Sequence, residues 1–205
     1  MPMSCSRMVT PGVWIGRAWR ASGRRTVDDT PSSLYASLNP RIFAPRPDGE
    51  KRVKDCYGVT MTKVRAIVSA DGSAAGKVQA AMELIHDRHD LYDWIGVYVL
   101  RGDVLHLGPY AGEPTEHTAI PVGRGVCGTA VAENRNQIVD DVREVANYIA
   151  CSPAVRSEIV VLIRDGEDIL GQIDVDSDTV GAFDEEDEFF LTELAELLAP
   201  FIEGL

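Results

Sequence analysis

The chain has 205 residues, of which 45% are hydrophobic and 25% charged, with a formal net charge of −12. That length holds one domain with a tail, or two small domains, and the composition is that of an ordinary globular protein. No apolar run approaches the roughly 20 residues that span a bilayer, and no apolar core of about 7–15 residues marks a secretory leader, so membrane insertion and export are not expected and a cytoplasmic location is.

The charge is unevenly placed. Residues 1–60 carry ten Lys/Arg against five Asp/Glu, whereas residues 61–205 carry ten against twenty-seven. A surface that acidic repels phosphate backbones, so nucleic acid is not an expected partner. Four cysteines, Cys5, Cys56, Cys127 and Cys151, form no C-x-x-C pair. They are too few for a secreted disulfide scaffold and wrongly spaced for structural zinc, and no metal is expected.

Residues 1–60 hold six of the eleven prolines and no sustained period of 2 or 3.6. They read as a disordered extension, or as the product of a start codon assigned too early, with Met61 the alternative start; residues 61–205 form the domain. Val78, Ala81, Met82 and Ile85 fall at i, i+3, i+4 and i+7, predicting a helix over 74–89. Strand character follows at 93–101, 103–108, 117–122, 136–139, 157–164 and 168–176. The joints Arg101-Gly102-Asp103 and Asp165-Gly166-Glu167 have hairpin spacing, which favours antiparallel pairing. A helix is expected from Gly125 through Ala132. A last helix spans 185–202, capped by Asp184, with Phe190, Leu194, Leu197 and Phe201 as its buried stripe and Pro200 bending or ending its last turn. The sum is an α+β domain: an antiparallel sheet of about six strands with helices mainly on one face.

Residues 123–128, Gly-Arg-Gly-Val-Cys-Gly, satisfy the G-x-G-x-x-G pattern of dinucleotide folds. The flanking strands are joined by hairpins, not crossover helices, and no acid sits about 20 residues further on at the end of a second parallel strand, so a dinucleotide site is not expected. The loop does put Cys127 at a helix N-terminus, which leaves two readings open: a thiol whose ionisation is favoured there, or a small residue packing a tight turn.

Trp94 and Tyr98 share one strand face with Gly96 between them, leaving a gap walled by two aromatics, while Ile95, Val97 and Val99 face the core. Asp174 and Asp176 share a face of their strand; such a pair ordinarily marks a solvated side. Glu158 opens another strand, seven residues after Cys151, which lies in the loop-like Tyr148-Ile149-Ala150-Cys151. A thiol near acids and aromatic rings suits a pocket for a small zwitterion, with acids on its ammonium group and rings on a methyl or thioether.

The strings GPYAG, IPVGRGVCGTAVA, NYIACSPAVRSEIVV and GQIDVDS resemble the signature of free methionine-(R)-sulfoxide reductases, GAF-fold enzymes that act on the free amino acid. The resemblance runs from about Trp94 to Phe183. It implies that Cys151 attacks the sulfoxide sulfur, that Trp94 and Tyr98 wall the methyl–sulfur end, and that Glu158, Asp174 and Asp176 contact the sulfoxide oxygen or the amino group. It also implies that Cys127 assists recycling, that thioredoxin and NADPH supply electrons with no bound cofactor, and that the protein is a homodimer. The family's principal second thiol falls at the position of His117, which is either a proton shuttle or an exposed polar residue. Resolution of oxidised Cys151 then falls to Cys127 or an external thiol; the alternative is a GAF module that binds a small ligand or senses redox state without turnover.

Overall fold

The computed structural model describes residues 55–145 and 153–205. Among these residues four α-helices are built on one sheet: α1 (Asp55–Ser69), α2 (Ala74–His86), α3 (Gly125–Glu133) and α4 (Glu185–Ile202). The strands are β1 (Trp94–Arg101), β2 (Val104–Ala111), β3 (Ala119–Pro121), β4 (Gln137–Val139), β5 (Ser157–Asp165) and β6 (Asp168–Ser177), in the order β3-β2-β1-β6-β5-β4. Every pairing is antiparallel. The two tight hairpins expected from sequence join β1 to β2 and β5 to β6, with Gly102 and Gly166 both at φ +59 in the first loop position. Glycine-first two-residue loops of this kind match the twist of the flanking strands.

Period-2 alternation divides the sheet into two unlike faces. Ile95, Val97 and Val99 of β1, Ile159, Val161 and Ile163 of β5, and Ile173 and Val175 of β6 form one apolar face. Three helices cover it. Met61, Val64 and Val68 come from α1, Val78, Ala81, Met82 and Ile85 from α2, and Phe190, Leu191, Leu194 and Leu198 from α4. The opposite face carries Trp94, Tyr98, Val160 and Leu162 and meets α3 through Val126, Cys127 and Ala130.

The ends of the fold differ from the sequence reading in places. Helix α1 begins at Asp55, so the boundary expected at residue 61 falls inside it. Gly58 and six β-branched residues (Val59, Thr60, Thr62, Val64, Ile67 and Val68) make this segment a poor helix former, and tertiary packing overrides that. Tyr57 stacks on Phe190 with ring centroids 4.3 Å apart, and Tyr92 donates to Asp187 Oδ1 at 3.1 Å, an oxygen that Tyr57 also reaches. Asp184 caps α4 as expected, and Asp187 completes a reciprocal capping box. The buried stripe of α4 is rotated from the expected one: Phe190 and Leu194 belong to it, but Leu191, Leu198 and Ile202 replace Leu197 and Phe201, which are only half-buried. Pro200 lies inside the helix, which continues to Ile202. Strand β2 runs three residues beyond the predicted end, to Ala111, and β3 is shortened to Ala119–Pro121. Among the described residues no helix is long and apolar enough to cross a membrane.

Candidate active site

Strand register brings the predicted acids and aromatics into one array. Trp94 of β1 pairs with Asp176 of β6, which pairs with Glu158 of β5, so one row of side chains crosses three strands. The next row is Gly96, Asp174 and Val160, and the next is Tyr98, Gln172 and Leu162. All of these lie on the face opposite the three-helix core, because alternate residues of a strand share a face.

This face is not the solvated side that paired aspartates usually mark. Asp174 is 0% exposed, Asp176 2% and Glu158 3%, and α3 covers this side with Cys127, itself 4% exposed. Cys127 occupies the first turn of α3, and its Sγ donates to Glu158 Oε1 at 3.7 Å. The last glycine of the string that resembles a dinucleotide fingerprint serves packing, while Gly123 and Gly125 turn the chain at φ +82 and +65. A Cβ on Gly128 would sit 2.4 Å from the carbonyl oxygen of Pro121, so glycine alone lets α3 close on β3.

Buried carboxyls resist ionisation, since a charge in a low-dielectric interior loses its hydration. Burial pushes Glu158 well above the usual carboxylate range, and the adjacent Asp174 and Asp176 push it further. Burial raises Asp174 to about 6, with Cys127 and Glu158 restraining the rise. Asp176 is raised by burial and then by Asp174, Asp178 and Asp93. Glu158 and Asp176 so placed keep their protons to higher pH than ordinary carboxyls, whereas Asp174, at about 6, is mostly ionised at neutral pH.

Asp176 also lines a cavity of about 250 Å³, with Asp93, Trp94, Tyr98, Glu113, Pro114, Thr115, Ala154, Val155 and Asp178. Among these described residues there are four carboxylates and no cationic side chain. Trp94 stacks on Tyr110 at 5.6 Å and lies 6.3 Å from Tyr98, ring centroid to ring centroid. The gap expected at Gly96 is closed by the indole itself: a Cβ there would lie 2.3 Å from the Trp94 ring. Gly96 therefore seats the tryptophan, and the space available to a ligand lies beyond it. Among the described residues the buried Trp94 Nε1–H has no partner. Tyr98 donates its hydroxyl to the His117 carbonyl at 2.9 Å, which leaves its ring as a wall.

His117 is half-buried and is not itself among the cavity-lining residues, but its carbonyl accepts from Tyr98 and its backbone N–H donates to Thr115 Oγ1, both of which are. Cys151 and the loop 148–151 lie outside the described residues, as does the side chain of Cys56. The chain on either side of that loop is tied down. Val142 N–H donates to Arg156 O at 2.9 Å, and Arg156 pairs with Asp141 at 2.9 Å, holding the Asp141 carboxyl below its ordinary range.

Asp93, Glu113, Asp178 and Gln172 are site residues that the sequence reading did not single out. Asp93 Oδ2 accepts from Ser177 Oγ at 3.2 Å and from Asp178 N–H at 2.8 Å. Gln172 is wholly buried, and neither its oxygen nor its nitrogen has a partner. Alternation along Gln172, Asp174 and Asp176 was the available signal for the glutamine. Asp93, Glu113 and Asp178 sit outside regular strands, where period gives none.

Comparison with known proteins follows the same outline. Residues 75–203 match the family model described as GAF domain. The chain is 40% identical over 129 residues to the free methionine-R-sulfoxide reductase of Escherichia coli, covering 63% of this chain and 78% of that one. Among solved structures, a type II free methionine-R-sulfoxide reductase from Thermoplasma acidophilum is 40% identical, with a TM-score of 0.62 and 63% and 92% of the two chains covered. The free methionine-R-sulfoxide reductase from Neisseria meningitidis in complex with its substrate is 30% identical, with a TM-score of 0.69 and 78% and 96% covered.

Proposed function

Since this chain belongs to the GAF-domain family, among its free methionine-R-sulfoxide reductases, we propose that it reduces free L-methionine-(R)-sulfoxide to methionine. The observation that carries this reading is the buried row of Trp94, Asp176 and Glu158 beside a cavity that has carboxylates and aromatic rings but, among the described residues, no cationic side chain. A fold alone does not fix a function, so the weight rests on that row.

The residue types suit the reaction. Asp93, Glu113 and Asp178 around the cavity offer negative charge to the substrate ammonium group, and that cation would in turn favour ionisation of Asp176 beside it. A methionine sulfoxide inside a peptide lacks that group, which accounts for a preference for the free amino acid. Trp94 and Tyr98 pack against the methyl–sulfur end, and the unpartnered indole N–H is a donor for a polar oxygen. Glu158 is the proposed proton donor to the sulfoxide oxygen, because burial and its acidic neighbours keep it protonated.

Cys151 is the proposed nucleophile. It precedes the cavity-lining Ala154 by three residues, a chain length of at most about 11 Å. Its thiolate attacks the sulfoxide sulfur as Glu158 protonates the oxygen, and the hydroxyl passes to the cysteine sulfur. Methionine leaves reduced by two electrons, and Cys151 is left oxidised as a sulfenic acid. A second thiol, Cys127 or an external one, condenses with it and releases water. An outside dithiol of the thioredoxin class, recharged by NADPH, then reduces the disulfide. No bound cofactor is required by this scheme.

The test is NADPH oxidation coupled through thioredoxin reductase and thioredoxin, with the R and S epimers supplied separately. Oxidation is expected with the R epimer alone. No R-dependent turnover with thioredoxin, and none with dithiothreitol, would leave only a ligand-binding role for the cavity.

A further inference from the structure

Cys127, Glu158 and Asp174 each offer one ligand atom, and these three atoms all lie within 4.8 Å of one another. We infer that they form a binding site for a thiophilic divalent cation of the zinc class, buried beside the cavity-lining Asp176, where the ion would compete with the proton-donating role given to Glu158 in the proposed reductase reaction. A tetrahedral zinc ion with bonds of about 2.3 Å to sulfur and 2.0 Å to oxygen separates its sulfur and oxygen ligands by about 3.5 Å. Cys127 Sγ and Glu158 Oε1 stand 3.7 Å apart, so this edge of the polyhedron needs almost no adjustment.

A second observation points to a ligand. Asp174 is wholly buried, and among the described residues neither carboxylate oxygen has a hydrogen-bond partner of normal geometry; the groups that restrain its ionisation shift are Cys127 and Glu158, both acids themselves. Buried polar groups of that kind are either hydrogen-bonded or coordinate a metal. Among the described residues no Lys, Arg or His pairs with Glu158 or Asp174, so the cluster contains no compensating positive charge. One thiolate and two carboxylates would supply it with ligands for a dication, and three protein ligands leave a fourth position for water, as in open zinc sites. Binding releases the protons held by the thiol and the carboxyls to solvent.

His117, the residue whose type first suggests a metal ligand beside a cysteine, is not part of this group. The proposed set is therefore sheet-built: Glu158 and Asp174 lie on adjacent strands β5 and β6, with Cys127 supplied by α3 lying over them. Such ligands are fixed by strand register and need no loop closure, although zinc held there would stop Glu158 from acting as an acid.

The site is tested on the full chain with Cys5, Cys56 and Cys151 replaced by Ser, which leaves Cys127 as the sole thiol and removes turnover from the readout. Cobalt(II) titration should saturate at one ion per chain with a thiolate-to-cobalt charge-transfer band, and zinc should displace it. Adding Cys127→Ser should abolish the band, and adding Asp174→Asn should abolish or strongly weaken uptake while near-ultraviolet circular dichroism stays native. If either variant fails to fold, zinc-edge X-ray absorption on the wild-type chain decides: mixed sulfur and oxygen ligands are expected. Absence of saturable uptake, uptake without the thiolate band, or equal affinity in the folded Asp174→Asn chain overturns the site. None of these outcomes depends on whether methionine sulfoxide is the substrate.

Discussion

Glu158→Gln is expected to slow reduction of methionine-(R)-sulfoxide by about 10²–10⁴-fold, the range that a positioned general acid contributes. The substitution keeps the side chain's shape and its place on β5, opposite Asp176, but removes the proton it would donate. The pH profile carries the finer signature. Burial and the neighbouring Asp174 and Asp176 raise Glu158, so the acid form persists to higher pH than in an ordinary carboxyl and is lost as pH rises through its elevated pKa. Wild-type single-turnover rates should rise with ionisation of the Cys151 thiol and then fall as Glu158 deprotonates. In the variant the alkaline fall should disappear. A Glu158→Gln enzyme within about threefold of wild type, a difference of less than 1 kcal/mol in barrier, with the same alkaline limb, would remove Glu158 from the mechanism.

Asp174→Asn is expected to stabilise the protein at neutral and alkaline pH in chelator-treated buffer. Asp174 is raised from 3.8 to about 6, so the folded state holds this proton more tightly than the unfolded chain. The sign follows from linkage. Its favourable contribution is complete below about pH 4 and is lost progressively until the folded pKa is passed, after which the buried charge burdens the fold. A shift of that size corresponds to about 3 kcal/mol. The amide would also be buried without partners, which makes this an upper bound. For a domain of this size each kcal/mol moves the melting temperature by about 2–4 °C. Thermal melts should therefore nearly coincide at pH 4, with the variant higher by up to roughly 6–12 °C at pH 8. Coincident melts at pH 8 would contradict the buried, uncompensated state of Asp174.

Both effects arise from one piece of sheet geometry, and much of it was legible in the chain. Alternation alone puts Trp94 with Tyr98, and Asp174 with Asp176, on shared faces, and hairpin spacing makes the sheet antiparallel. Register is less accessible. That Trp94, Asp176 and Glu158 form one row depends on where the Gly166 turn falls, on a shift between Ile163 and Arg164 in the β5–β6 ladder, and on the β1–β6 pairing, which no hairpin sets. Burial is harder still. Whether two aspartates face water or protein depends on α3 being seated over them, and the glycine-rich loop that seats it reads equally well as a phosphate cradle until the strand connections are known. Helix α1 is invisible to propensity because β-branched residues and Gly58 fill it, and it is held by Tyr57, Met61, Val64 and Val68 against distant parts of the chain. Asp93, Glu113 and Asp178 join the cavity from irregular segments, where neither period nor motif identifies them.

The most direct test is a single turnover without reductant. The fully reduced chain, freed of dithiol, is mixed with excess R epimer, quenched with an alkylating agent and analysed for methionine and for the state of each cysteine. The account predicts an equivalent of methionine per chain, with Cys151 protected from alkylation as a sulfenic acid or as a disulfide with Cys127. Methionine produced equally from the S epimer, or none produced from the R epimer, or Cys151 left fully alkylatable after turnover, would contradict it.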